Sequence, residues 1–285
     1  MNRKAIVLIL LLQTGLTGLP LMAQSEMEVT ESTADGTGWS FGLNIGMYYP
    51  SKATAAYYNG KSNNVNNADY VMSNQYWYFD IYDALGAHDT VFVEGLPDNM
   101  RYNVAISPGL YAQYSFNSKL ALMIEFNYMS LKAKDVIIFE VDPISSVSTN
   151  PDLRLYPING SEKRVYANIG LKRSYQKSDK LSYFITGGLN VNSTTVKKSS
   201  FFVGETEYSM VNNYNGGYVP GTNNQTFSVY QGGIGFGMFA GGGISFIFSN
   251  GIVVEPGLTA NWLMVKLEGY QNMNPGIGMY LRFML

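Results

Sequence analysis

Gly38-Trp39-Ser40-Phe41-Gly42-Leu43-Asn44-Ile45-Gly46-Met47 is the stretch on which the fold turns. Bulky apolar side chains at Trp39, Phe41, Leu43, Ile45 and Met47 alternate with Ser40, Gly42, Asn44 and Gly46. An extended strand separates such a pattern of period two onto opposite faces. A tilted strand that crosses a bilayer needs about 9–11 residues, and this stretch has that length.

Working outward, the same alternation returns along the chain. Tyr102, Val104, Ile106, Pro108, Leu110, Ala112, Tyr114 and Phe116 share one face, opposite Asn103, Ala105, Ser107, Gly109 and Gln113. Asn117-Ser118 turns the chain, and Leu120, Leu122, Ile124, Phe126 and Tyr128 resume opposite Ala121, Glu125 and Asn127. A second hairpin carries Val165, Ala167, Ile169 and Leu171, a turn in Gln176 to Asp179, then Tyr183, Ile185 and Leu189. A third runs from Ile234 to Phe248, turns at Asn250-Gly251, a strong two-residue hairpin signal, and returns with Val254, Leu258, Ala260, Trp262 and Met264. The last strand sets Ile277, Met279, Leu281, Phe283 and Leu285 against Gly276, Gly278, Tyr280 and Arg282. Within this set Pro108 is a blemish, because it removes a ladder donor.

Tight turns alternate with long polar segments near 50–101, 132–163 and 194–230 and a shorter one near 265–274, and both ends fall on the short-turn side. Short periplasmic turns and longer external loops are the arrangement of an up-and-down outer-membrane barrel. The expected fold is therefore all-β: an eight-stranded antiparallel transmembrane β-barrel over residues 38–285, with long external loops.

The N-terminus fits that destination. Arg3 and Lys4 precede an apolar run from Ala5 to Leu12, and Leu21-Met22-Ala23 precedes Gln24, which reads as a cleavable export signal over 1–23. Gln13, Thr14 and Gly15 interrupt the run, which falls short of the roughly 20 residues of a spanning helix. Residues 24–37, with Glu26, Glu28, Glu31 and Asp35, read as a flexible lead-in. With 0 Cys, a disulfide framework and a lipid-modified N-terminal cysteine are both excluded. Charged residues are 14%, against about 25% in a soluble domain. A formal net charge of -2 without basic clusters argues against nucleic acid as a partner.

A soluble carrier of the lipocalin kind alternates in the same way, with its apolar face turned inward. The polar face here is Gly, Ser, Asn and Thr with sparse charge, which suits a crowded lumen better than a wet exterior. Trp39, Tyr48, Tyr49, Tyr114, Phe116, Tyr128, Phe246, Phe248 and Trp262 stand near strand ends, as aromatic girdles do. The signal, the hairpins and the terminal Gly278-Met279-Tyr280-Leu281-Arg282-Phe283-Met284-Leu285 resemble the porin-family and PorT-like outer-membrane β-barrel proteins, and more distantly OmpA and OmpX. The resemblance covers residues 38–285 and implies a Gram-negative outer membrane, with insertion by the barrel-assembly machinery. Those families usually end in an aromatic residue; this chain ends in Leu285, with Phe283 two before it.

An eight-stranded barrel is just wide enough to be filled by its own side chains. Glu125, Lys172, Glu255 and Arg282 point inward on this reading, either as an ion-pair network that satisfies the interior or as a proton or ion path. His88 is the single histidine, so a transition-metal site or His-dependent triad has little to work with. Asp80, Asp83, Asp89 and Glu94 match no calcium-loop spacing, and the glycines of 232–243 follow a strand pattern rather than a phosphate loop. No cofactor is expected. Tyr57-Tyr58-Asn59-Gly60 through Asn67, Asn212 to Tyr218, and above all Tyr76, Trp77, Tyr78 and Phe79 are the loop candidates for binding a sugar or protein partner. Expected partners are outer-membrane lipid, the assembly machinery, and an extracellular or envelope molecule at the loops. A non-enzymatic structural or binding role, a narrow channel for small or apolar molecules, and a soluble carrier remain the alternatives.

Overall fold

The computed structural model describes residues 37–142, 152–211 and 231–285. The expected signal (1–23), the lead-in up to residue 36, and Asn212 to Tyr218 lie outside them. The strands are β1 (Gly38–Pro50), β2 (Val91–Gly95), β3 (Ala105–Ser115), β4 (Leu120–Val141), β5 (Asp152–Ser178), β6 (Leu181–Val203), β7 (Thr206–Ser209), β8 (Gly232–Ile247), β9 (Val253–Leu267) and β10 (Tyr270–Met284). Antiparallel pairing runs β1-β3-β4-β5-β6-β8-β9-β10 and returns to β1, so eight strands close into a ring. Closure is set by Leu43 opposite Phe283 and Ile45 opposite Leu281. β2 and β7 are short additions to the far ends of β4 and β6.

The apolar set of each strand faces out. Trp39, Phe41, Leu43, Ile45 and Met47 are exposed while Asn44 and Tyr48 are buried; Val165, Ile169 and Leu171 on β5, and Ile277, Met279 and Phe283 on β10, are likewise exposed. An apolar band of this extent is far beyond what a water-soluble surface carries, and its natural solvent is lipid. This is an outer-membrane type of barrel, and a carrier would show the reverse polarity.

Three expectations need correction. The segments 132–163 and 194–230, expected as loops, are strand as far as Val141, from Asp152 onward, and up to Val203. Inward Leu131, Ala133, Ile137, Phe139 and Val141 keep the period of two, while outward Lys132, Lys134 and Glu140 give the stretch its polar look. The 265–274 connection is likewise mostly strand, turning at Glu268-Gly269, where Gly269 takes a φ of 69°. Second, Tyr48 joins no girdle; it points inward and its hydroxyl meets that of Tyr166 at 2.9 Å. Third, Tyr102 leaves the outward face. Pairing of β3 with β4 ends at Gly109 opposite Asn127, next to Pro108, which has no N–H to donate. Beyond it the chain touches β4 again at a Tyr102–Ala133 bridge, and Tyr102 lies half-buried with the Arg164 guanidinium 5.7 Å from its ring centre.

The longest connection, 50–101, folds into a cap. It holds α1 (Lys52–Ala55), a 3-10 turn at Ala56–Tyr58, α2 (Ala68–Met72) and α3 (Gln75–Leu85), then β2. The Asn74 side chain accepts from the N–H groups of Tyr76 and Trp77 to start α3, and Gly86, at a φ of 60°, ends it. The Arg154 side chain donates to the Leu85 carbonyl at that end. Tyr57, Tyr58, Val71, Trp77, Ile81 and Leu85 form one buried cluster with Ile137, Phe139, Ile158 and Phe201, the inward residues of the extended strands.

Candidate functional site

Ring closure gathers the four charged residues expected in the lumen. Glu255 and Arg282 are direct register partners on β9 and β10. Arg282 Nη1 donates to Glu255 Oε2 at 3.1 Å and Nη2 reaches across to Glu125 Oε2 on β4 at 2.9 Å. Lys172 from β5 is ion-paired to Glu255 and donates to Gln113 Oε1 at 3.2 Å. All four are buried. The guanidinium carbon lies 3.6 Å from the Tyr111 ring centre and 4.6 Å from that of Tyr280. Asn44 Nδ2 donates to Glu125 Oε1 at 2.7 Å and Asn127 Nδ2 to the same oxygen; Ser245 donates to Glu255. Each carboxylate thus meets at least one cation and one neutral donor, which is what a charge out of water requires.

Higher up lies a second buried network that sequence reasoning missed. Arg164 pairs with Glu162 on β5 and donates from Nη2 to Thr54 Oγ1 of α1 at 3.1 Å. The Tyr58 hydroxyl donates to Glu162 Oε2 at 2.6 Å. Beside them Asn66 and Gln231 exchange hydrogen bonds of 2.7 and 2.9 Å, and the Tyr57 hydroxyl reaches Gln231 Oε1 at 3.3 Å. These contacts bolt the cap to the barrel wall. Gly160 is part of the fit, because a Cβ there would fall inside the Tyr58 ring. Between the two networks is a cavity of about 40 Å³ lined by Asn44, Ser107, Asn127, Asn168, Asn261 and Tyr280, room for a few water molecules and no solute.

The aromatic loop candidates are divided by α3. Tyr76 is 82% and Phe79 51% exposed, whereas Trp77 is 7% exposed in the cap core. Tyr78 packs partly against that core and its hydroxyl accepts from the Val91 N–H at 3.1 Å. Among the described residues no three His, Cys, Asp or Glu side chains gather as a metal site. The backbone N–H groups of His88, Asp89 and Thr90 converge instead on the Asp142 carboxylate at 2.8, 2.6 and 3.2 Å.

No protein-family model matches the chain, and no curated protein matches it. Among solved structures it is similar to Neisserial surface protein A, at 9% identity and a TM-score of 0.44, covering 88% of this chain and 99% of that one. It is also similar to Ail, the attachment invasion locus protein of Yersinia pestis, at 12% identity and 0.33, covering 86% and 97%. The outer membrane protein OprG of Pseudomonas aeruginosa matches at 7% identity and 0.37, covering 88% and 93%.

Proposed function

We propose that this chain is a non-enzymatic outer-membrane barrel whose working surface is its folded external cap, in a binding or structural role. One observation carries the reading: among the described residues, buried charged networks span the lumen at two levels, which supports a working surface on the cap rather than a path through the barrel. Exposed Tyr76 and Phe79 on α3 supply aromatic faces suited to a sugar ring or a protein partner. The mature chain begins near Gln24, is inserted by the barrel-assembly machinery, and needs no cofactor.

Two measurements test this. The purified full chain in planar bilayers is expected to show no steady conductance; steady conductance would replace this reading with a narrow channel. A Tyr76→Ser/Phe79→Ser variant that still shifts in electrophoretic mobility on heating should lose surface or partner binding, and undiminished binding would remove α3 from the role.

A further inference from the structure

We infer that the outward faces of β4, β5 and β6, directly above the apolar belt, form a binding site for the phosphate-bearing headgroup of an outer-leaflet lipid. On β4 the outward positions pass from Phe126 and Tyr128 to Ser130, Lys132 and Lys134; on β5, read upward, from Ala167 and Val165 to Lys163 and Ser161. On β6 they pass from Val191 to Ser193, Thr195 and Lys197. Register sets Lys163 level with Ser130 on one side and Thr195 on the other. Lys132, Lys134, Lys163 and Lys197 are all exposed, and none has an ion-pair partner among the described residues. Their neighbour Lys198, by contrast, is bound to Glu207, and Glu162 points inward to Arg164. The cluster is invisible in the linear sequence because its members come from three strands.

Ammonium groups interleaved with hydroxyls, at the height where hydrocarbon ends, are the chemistry of a phosphate receptor. Lys163 Nζ lies 5.9 Å from the Tyr128 ring centre, which sets the charge at the top of an interfacial aromatic. The sector is also distinct. At the same end of the barrel β9 carries Lys266 with Glu268 two residues on, and β1 and β10 present Tyr49, Met273 and Pro275. A lipid rather than a free phosphate is the occupant, since its acyl chains continue down Phe126, Val165 and Val191, all exposed in the belt. The inference rests on the membrane placement of that belt and is independent of what the cap binds.

The test is lipid retention by the detergent-solubilised full chain, read by native mass spectrometry, with a diphosphorylated glycolipid, its dephosphorylated form and inorganic phosphate as probes. Heat-dependent gel mobility confirms that each variant is folded, so a failed barrel and a failed site are told apart. Lys132→Gln/Lys163→Gln/Lys197→Gln should lose retention of the phosphorylated lipid by about tenfold or more, the corresponding triple Arg variant should keep it, and Lys119→Gln/Lys180→Gln at the opposite mouth should leave it unchanged. Equal retention by the triple Gln variant, equal retention of the dephosphorylated lipid, or competition by inorganic phosphate would overturn the proposal.

Discussion

β4, β5 and β6 each pass through two environments, and they exchange the polarity of their faces on the way. In the belt, Tyr128, Val165 and Leu189 look out while Glu125, Lys172 and Asn190 look in. Above it, Lys132, Lys134, Lys163 and Lys197 look out while Ala133, Ile137, Phe139, Ile158, Val196 and Phe201 look in. The strands run on through both, with one irregularity in the β5–β6 register between Ser161 and Glu162; what changes is the solvent. Lipid outside obliges the polar groups to satisfy one another within, whereas above the belt an apolar core returns, after a stretch at Glu162 and Arg164 where both faces are polar.

The two halves can be broken separately. The largest effect is expected at Arg282. Its replacement by Met leaves Glu125 and Glu255 buried with Lys172 as their cation, and should cost about 3–5 kcal/mol, read as a lower temperature for the gel-mobility transition of the whole barrel. Ile81→Ala removes a fully buried side chain from the cap core at about 2–5 kcal/mol. Its effect should stay local, with protease sensitivity in 50–101 at an unchanged barrel transition. Gly160→Ala forces Tyr58 off Glu162 and should cost about 1–3 kcal/mol by overpacking, again in the cap alone, with partial rescue by Tyr58→Ala. The smallest effect is a pH-dependent one. Hydrogen bonds from the Asp89 N–H, opposed by desolvation and reinforced by His88 and Thr90, hold the Asp142 carboxyl below its ordinary value. Because the folded form binds its proton less readily than the unfolded one, this clip is complete at neutral pH and is lost as pH falls through the lowered value. Amide protection at 88–90, taken relative to the intrinsic exchange rate at each pH, should therefore fall in acid, and Asp142→Asn should lower it at neutral pH.

The barrel was legible because lipid-facing strands state their period openly: β1, the three short hairpin turns and the closing strand all follow from apolar residues set against Gly, Ser and Asn. The lower network was legible for the same reason, since Glu125, Lys172, Glu255 and Arg282 are charges on the small-residue face of those strands. Glu162 and Arg164 were not, although they share the even parity of Tyr166, Asn168 and Lys172. Their outward neighbours Ser161 and Lys163 are polar, and a strand with both faces polar reads as a loop. In sequence the aromatic run 76–79 reads as one cluster, because four adjacent aromatics show no period that separates them. Asn74 and Gly86 bracket the helix, and its turn carries Trp77 and Ile81 to the core while Tyr76 and Phe79 face out.

Arg282 also ties the integrity of the chain to its length. The guanidinium rides on β10, which closes the ring on β1, and bridges Glu255 on the adjacent strand to Glu125 on the far wall. A chain cut short before β10 would hold two carboxylates against a single ammonium in an interior removed from bulk water. Sealing the ring and balancing the interior charge are then one event, so an unfinished copy is penalised by its own electrostatics before anything else inspects it.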